Sequence, residues 1–319
     1  MKSATIVLLS FVVIFLFTSA CFAEPLINEI MSANSSTVQD KDGEYPDWIE
    51  IYNPGSSSVD LDGYGLSDDP EDLFKWVFPK YSLDTGKYLL VFASDKDITS
   101  IPGHWETVIT MGDELKYTKG STDISDNWRS LEFDDSEWLS GPSGIGTRGA
   151  DDSTVVTSTP SLFIRKSFDV ADLENVTHAL LQIDYDSGFV AYINGNEIVR
   201  ANMDGTPGTF PTYSQLANTK REMALYDSGN PDVFEINNIG SFIRQGENVL
   251  SIEVHSRARY FATISVIPFF TLGMVETPSN PNGVPEIIAF SVKNYALHTN
   301  FKIKSEGETL YLTSNSEVV

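Results

Sequence analysis

The chain has 319 residues, a single cysteine and a formal charge of −24, from 21 Lys and Arg against 45 Asp and Glu. A field of that sign repels nucleic-acid phosphates and anionic lipid, so no nucleic acid is expected as a partner. One cysteine excludes a disulfide framework, paired-thiol chemistry and Cys-based zinc sites, so stability must come from a large core.

Met1-Lys2 gives a short positive start, and residues 6–17 are almost unbroken Ile, Val, Leu and Phe, interrupted by Ser10. Cys21-Phe22-Ala23 then precedes Glu24-Pro25. Together these make the charged, apolar and small-residue parts of a secretory signal peptide over residues 1–23. The apolar run is about a dozen residues, short of the ~20 that span a bilayer, and no other segment is apolar enough. The chain is therefore expected outside the cytosol and not transmembrane. Two alternatives to cleavage are a retained anchor and lipid attachment at Cys21, where Thr18-Ser19-Ala20-Cys21 lacks the Leu usual three residues before the cysteine. Cleavage after Ala23 would leave no cysteine in the mature protein.

From Leu26 onward the apolar residues fall in short runs with a period near two. Leu26–Ile30, Trp48–Tyr52, Trp76–Phe78 and Tyr88–Phe92 come first, then Ala179–Tyr185, Phe189–Ile193 and Asn248–Val254. They are rich in β-branched and aromatic residues and are separated by Gly, Pro, Asn, Asp and Ser, which predicts many short strands. Helical turns are expected only near Ser214–Ala217 and Ile239–Arg244. Asn194-Gly195 between two apolar runs predicts a hairpin, since both turn residues need positive φ. Two loop-like stretches, 97–104 with Pro102-Gly103 and 277–283 with two prolines, bracket a long middle segment.

The first flank resembles the bacterial lamin-tail domain. The resemblance rests on Leu26-Ile27-Asn28-Glu29-Ile30, Asp47-Trp48-Ile49-Glu50-Ile51-Tyr52-Asn53, Leu61-Asp62-Gly63-Tyr64-Gly65-Leu66, Trp76-Val77-Phe78-Pro79 and Tyr88-Leu89-Leu90-Val91-Phe92-Ala93-Ser94, in that order. The middle segment is similar to a galactose-binding-type jelly roll. Its signature runs through Trp128-Arg129, Phe133-Asp134-Asp135-Ser136-Glu137-Trp138, Phe163-Ile164-Arg165-Lys166-Ser167-Phe168, Asp184–Gly195, Val199–Met203 and Gly246–His255. His298–Ile303 and Gly307–Leu312 resemble the second half of a lamin-tail domain. The implied fold is all-β: an immunoglobulin-like lamin-tail sandwich over 24–98, a jelly roll over 105–275, a linker over 276–285, and return strands over 286–319. A second, shortened lamin-tail domain is the rival reading of the last segment. Such proteins often lie N-terminal to a spore-coat protein H (CotH)-type kinase-like domain, which these residues do not contain.

Motifs that carry chemistry are few. No phosphate-cradling glycine loop, nucleophile elbow or His-Glu-x-x-His motif is present. Four histidines, at 104, 178, 255 and 298, lack metal-ligand spacing. No catalytic carboxylate pair stands out, so no enzyme activity is expected from this chain itself. Asp40, Asp42 and Asp47, with Glu44 in an acidic loop, are weak candidates for Ca²⁺, but Gly43 is misplaced for an EF-hand loop. Sugar recognition needs an aromatic platform with planar polar partners. Candidate platforms are Trp128, Trp138, Tyr213 and Tyr260, and candidate partners are Asp186, Arg200, Asn202, His255 and Arg257. Each has a structural alternative: the tryptophans as core, Arg200 and Asn202 as braces of a strand end, His255 as a hydrogen-bonded core residue. The functional expectation is a secreted or surface binding protein for a polysaccharide or cell-surface glycan. The alternatives are a structural spacer and an accessory region of a larger extracellular enzyme.

Overall fold

The computed structural model describes residues 24–122, 124–147, 152–260 and 262–314. Expectations for residues 1–23 lie outside the described residues. The fold is all-β, with sandwiched sheets and three short 3₁₀ turns among the described residues.

The chain divides into two compact units, and the first is discontinuous: among the described residues it comprises 24–33, 47–96 and 299–314. Its central sheet pairs Leu26–Met31 with Asp47–Tyr52 and the latter with Tyr88–Ala93, all antiparallel. In Asp47–Tyr52 the period of two works as expected: Ile49 and Ile51 are fully buried, while Tyr52 faces outward and stacks on Tyr88 at 4.5 Å. Asn53 ends the strand as a buried hub. Its Nδ2 donates to the carbonyls of Ser57 and Leu83, and its Oδ1 accepts from the Gly55 N–H. That satisfies a tight Asn-Pro-Gly turn at the domain edge.

The last part of the chain returns to this unit. The Thr299 N–H donates to the Phe92 carbonyl at 2.8 Å, Lys302 bridges Ser94, and Tyr311–Thr313 pairs with Gly65–Ser67. Leu66, Trp76, Phe78, Phe301 and Leu312 are buried in this unit.

The second unit comprises residues 34–46 and 97–298. One six-stranded sheet has, as neighbours in order, Leu139–Pro142, Glu114–Lys119, Ser161–Val170, Gly246–His255, Gly188–Ile193 and Asn196–Ala201. The facing sheet is built on Val176–Tyr185 and Ser265–Met274, flanked by His104–Ile109, Ile145–Gly146, Thr154–Val155 and Asp232–Glu235. Leu162, Ile164, Phe189, Ala191, Ile252 and Val254 of the first sheet meet Leu181, Ile183, Val266 and Phe270 of the second in one apolar core. The hairpin at Asn194-Gly195 has φ of 49° and 89° at its two turn residues, as that dipeptide requires.

Three local expectations are corrected. Residues Ser214–Ala217 are not helical; their backbone is held by strand ends, with the Ala217 N–H on the Ser256 carbonyl. The helical turn expected near Ile239 forms at Ile239–Ser241, and two further turns form at Leu225–Asp227 and Glu286–Val292. The last of these falls where return strands were expected. Ile288 is fully buried against Met223, Ile267 and Phe269, which ties residues up to 298 to the second unit. The acidic loop at 40–44 also belongs to that unit. Asp40 is 2% exposed and its Oδ1 accepts the N–H groups of Asp42 and Glu44, closing a turn on itself.

Candidate functional site

The six-stranded sheet has an inner face given to the core and an outer face carrying a row of mixed chemistry. Register places Phe163, Glu253 and Val190 side by side, and Arg165, Ser251 and Tyr192 in the next row. His255 lies opposite Ser161 and Gly188. These alternate with core residues because successive side chains on a strand point to opposite faces.

Water does not cover this outer face. Two chain segments roof it. Trp128, Met203 and Ala217 pack on Phe163, Val190 and Tyr192, with Ile124, Phe133, Trp138 and Tyr213 at the margin. Arg165 pins the first segment: its Nε donates to Asp135 Oδ2 at 2.7 Å, and its Nη groups donate to the carbonyls of Trp128, Ser130 and Phe133. The Asp134-Asp135 pair is thereby explained as architecture, since Asp134 caps the Ser136 N–H. Ser161 pins the second segment, its Oγ donating to the Tyr213 carbonyl at 2.6 Å.

Between the two roofing segments lies a pocket of about 400 Å³. Ile124, Trp128, Phe163, Phe210 and Tyr213 give it apolar walls, and Ser125, Asp126, Arg129 and Ser214 give it polar groups. Arg129 is 6% exposed and sits in an aromatic cage. Its Cζ is 3.8 Å from the Phe210 ring centroid, 4.9 Å from Tyr192 and 5.0 Å from Trp128. Such contacts favour a cation held away from water.

Beneath Arg129 runs a fully buried polar chain. The Tyr192 hydroxyl donates to Glu253 Oε1 at 2.5 Å, and His255 Nε2 lies 3.1 Å from Glu253 Oε2. His255 Nδ1 is 2.9 Å from the Gln215 carbonyl. Burial, first, and the neighbouring Glu253 carboxylate push the Tyr192 hydroxyl far above its usual range, against a smaller opposing effect of Arg129. Tyr192 therefore stays protonated and remains a donor. Arg129 Nη2 stands 3.7 Å from Glu253 Oε1, supplying the compensating charge that a buried carboxylate needs.

The residues singled out in the sequence are distributed unevenly around this pocket. Trp128 and Tyr213 line it. Trp138 stacks on Trp128 with centroids 6.1 Å apart and supports it from outside. His255 lies under the pocket and is 0% exposed, so it braces Glu253 and does not reach the opening. Arg200 is used by the fold: it clamps Glu197 at 2.8–2.9 Å and donates to the carbonyls of Asp204 and Thr209. Burial works against its charge, and Glu197 outweighs that, so its pKa is raised. Asn202 adopts φ of 54° and ties Ser187 to Thr219. Asp186 is buried and accepts the Met223 N–H. Arg257 and Tyr260 are exposed on the loop that follows His255, and Tyr260 is 83% exposed. Asp47 opens a strand of the first unit, apart from Asp40 and Asp42 in the compact-unit division. Among the described residues no group of three or more His, Cys, Asp or Glu is arranged to hold a metal ion.

Phe210 and Arg129 were absent from the sequence candidates. Phe210 had a signal: a large aromatic between Gly208-Thr209 and Pro211-Thr212, in a segment with no strand period. It is 51% exposed, with the Arg129 guanidinium over its ring.

Taken together these features define an all-β protein with two sandwich units, one bearing a roofed aromatic pocket. Residues 19–157 match the model of the Lamin Tail Domain family, a span of less than half the chain that runs from before the first strand into the second unit. No curated protein matches the chain. Among solved structures, a calcium-binding mutant of Bacteroides uniformis β-glucuronidase 2 is similar at 16% identity and a TM-score of 0.35, over 53% of this chain and 18% of that one. A β-glucuronidase of an uncultured Clostridium sp. is similar at 15% identity and a TM-score of 0.34, over 58% and 31%. A glycoside hydrolase family 2 β-glucuronidase is similar at 13% identity and a TM-score of 0.35, over 55% and 18%. The protein thus spans less than a third of the length of these enzymes. No helix among the described residues is long and apolar enough to cross a membrane.

Proposed function

We propose that the protein is a secreted or surface-held, non-catalytic recognition module that takes a saccharide in the pocket between residues 124–129 and 210–214. The observation carrying this reading is the pocket itself. Four aromatic rings and a guanidinium converge on a cavity within the 300–1,000 Å³ range of small-ligand sites. A sugar ring offers an apolar C–H face to aromatic rings and hydroxyls to planar polar groups, and this lining supplies both. Export is supported by the charged, apolar and small-residue pattern of residues 1–23.

The test is equilibrium binding of the full chain to a panel of oligo- and polysaccharides, alongside Phe210→Ala. Phe210 is half-exposed, so its truncation leaves the core intact. Saturable binding to a glycan, weakened at least tenfold by Phe210→Ala, is expected. Absence of binding across the panel by folded protein refutes the saccharide reading and leaves a structural spacer. A parallel arm with chelator asks whether calcium takes part.

A further inference from the structure

Arg129 differs from Arg165 and Arg200 of the same unit in how its donors are used. A guanidinium carries five N–H donors. Arg165 makes four hydrogen bonds and Arg200 makes four, drawing on all three nitrogens in each case. Arg129 donates from Nη1 to the Asp126 carbonyl at 2.9 Å. Its Nη2 is held beyond hydrogen-bond reach of Glu253, at 3.7 Å. Its Nε is buried with no partner at all. A buried donor without an acceptor costs free energy, and Arg129 is one of the residues that line the pocket.

Resting on the saccharide reading above, we infer that the pocket selects an N-acylated sugar, an acetamido-hexose, whose amide carbonyl accepts from the Arg129 guanidinium. Two observations favour a neutral acceptor over a carboxylate. Glu253 already balances the Arg129 charge. Asp126 stands at the rim, and the chain carries −24 overall, so an anionic glycan is repelled on approach. The methyl of the acetamido group then meets Ile124, Trp128 and Phe163, which are apolar and lie in the same pocket. A plain hexose offers nothing to that apolar wall.

The experiment uses two matched pairs that differ only at the acetamido position: chitohexaose with cellohexaose, and N-acetylgalactosamine with galactose. Hexagalacturonate is the anionic control. Calorimetry on the full chain is expected to show an acetamido sugar bound at least about tenfold tighter than its partner, the size of one buried hydrogen bond gained. Arg129→Lys keeps the charge beside Glu253 but loses the planar fork. It is expected to bring the two members of the pair within about threefold of each other. If Arg129→Lys fails to fold, the wild-type comparison alone decides. Equal affinity within both pairs overturns the acetamido inference and leaves saccharide binding standing. Binding of hexagalacturonate alone overturns it in favour of a charge-driven site. No binding to any of the five, or to the wider panel, overturns both readings.

Discussion

Truncating Trp128 to alanine is expected to unfold much of what surrounds the pocket, and the structure gives the size. The ring is 1% exposed. It meets Phe163 edge-on at 4.9 Å, Tyr192 at 5.9 Å and Trp138 in a stack at 6.1 Å, and Arg129 lies over it. Removing a buried Trp costs about 3–5 kcal/mol, through lost transfer energy and the cavity left behind. The rigid strands beneath cannot collapse into that space, so the upper half of the range, about 4–5 kcal/mol, applies here. With a urea slope of about 2–3 kcal/mol/M, the unfolding midpoint falls by about 1.3–2.5 M. Two units blur a whole-molecule signal, so amide exchange of the strand Gly246–His255 against urea is the assay of choice. Tyr260→Ala, on an 83% exposed ring, is the control and is expected to move stability by less than about 0.5 kcal/mol. A Trp128→Ala protein whose Gly246–His255 amides lose protection at the wild-type urea concentration refutes the roofed-face account. The practical consequence is that loss of ligand binding in Trp128→Ala reads as loss of fold, whereas Phe210→Ala isolates the pocket.

Asn202→Ala removes four hydrogen bonds and leaves a non-glycine residue at positive φ, so a loss of about 2–4 kcal/mol is expected in thermal or urea melts. An Asn202→Ala protein as stable as wild type would show that the 187–219 tie is dispensable. Glu106 has its pKa lowered. Burial, the largest effect, opposes the charge, but His104 and the N–H groups of Asn282 and Gly283 together outweigh it. Its stabilising contribution is therefore complete above the ordinary glutamate range and fades as pH falls through the lowered value. The stability gap between wild type and Glu106→Gln should shrink on going from about pH 6 to about pH 3.5; a gap constant with pH contradicts this. Tyr185 is pushed up to about 12, mainly by burial, with Arg221 opposing and Asp232 reinforcing. A raised pKa gives stability that is whole below the unfolded value and is lost as pH climbs through the folded one. Tyr185→Phe should therefore flatten the alkaline loss of stability between about pH 10 and 12, read by melts alongside phenolate absorbance. Identical alkaline profiles for the two proteins would count against it.

The strands and the Asn194-Gly195 turn were legible because their causes are local: side-chain alternation and a dipeptide tolerant of positive φ. The pocket was only half legible. Trp128 and Tyr213 stood out as aromatics, but aromaticity does not say whether a ring is wall or filler. Arg129 and Phe210 are 81 positions apart (210 minus 129) and meet because Arg165 and Ser161 pin two separate loops onto one sheet face. No period or motif encodes that meeting. Arg200, Asn202 and Asp186 looked like ligand-binding groups for the reason they are structural: polar side chains at strand ends are needed first to satisfy loop backbone. The acidic run at 40–44 read as cation chemistry, yet Asp40 uses its oxygen on its own turn.

Tyr311 is hydrogen-bonded as a strand partner of Ser67, and everything between 97 and 298 is made before that pairing becomes available. A ribosome adding about 5–20 residues per second leaves Leu66 and Trp76 waiting for their cover for ten seconds or more, roughly, while the second unit is already completing itself. The order of synthesis and the order of assembly are therefore reversed for the two units. Whatever attends the nascent chain, by binding its exposed apolar strands, has the early residues of the first unit as its longest-lived target.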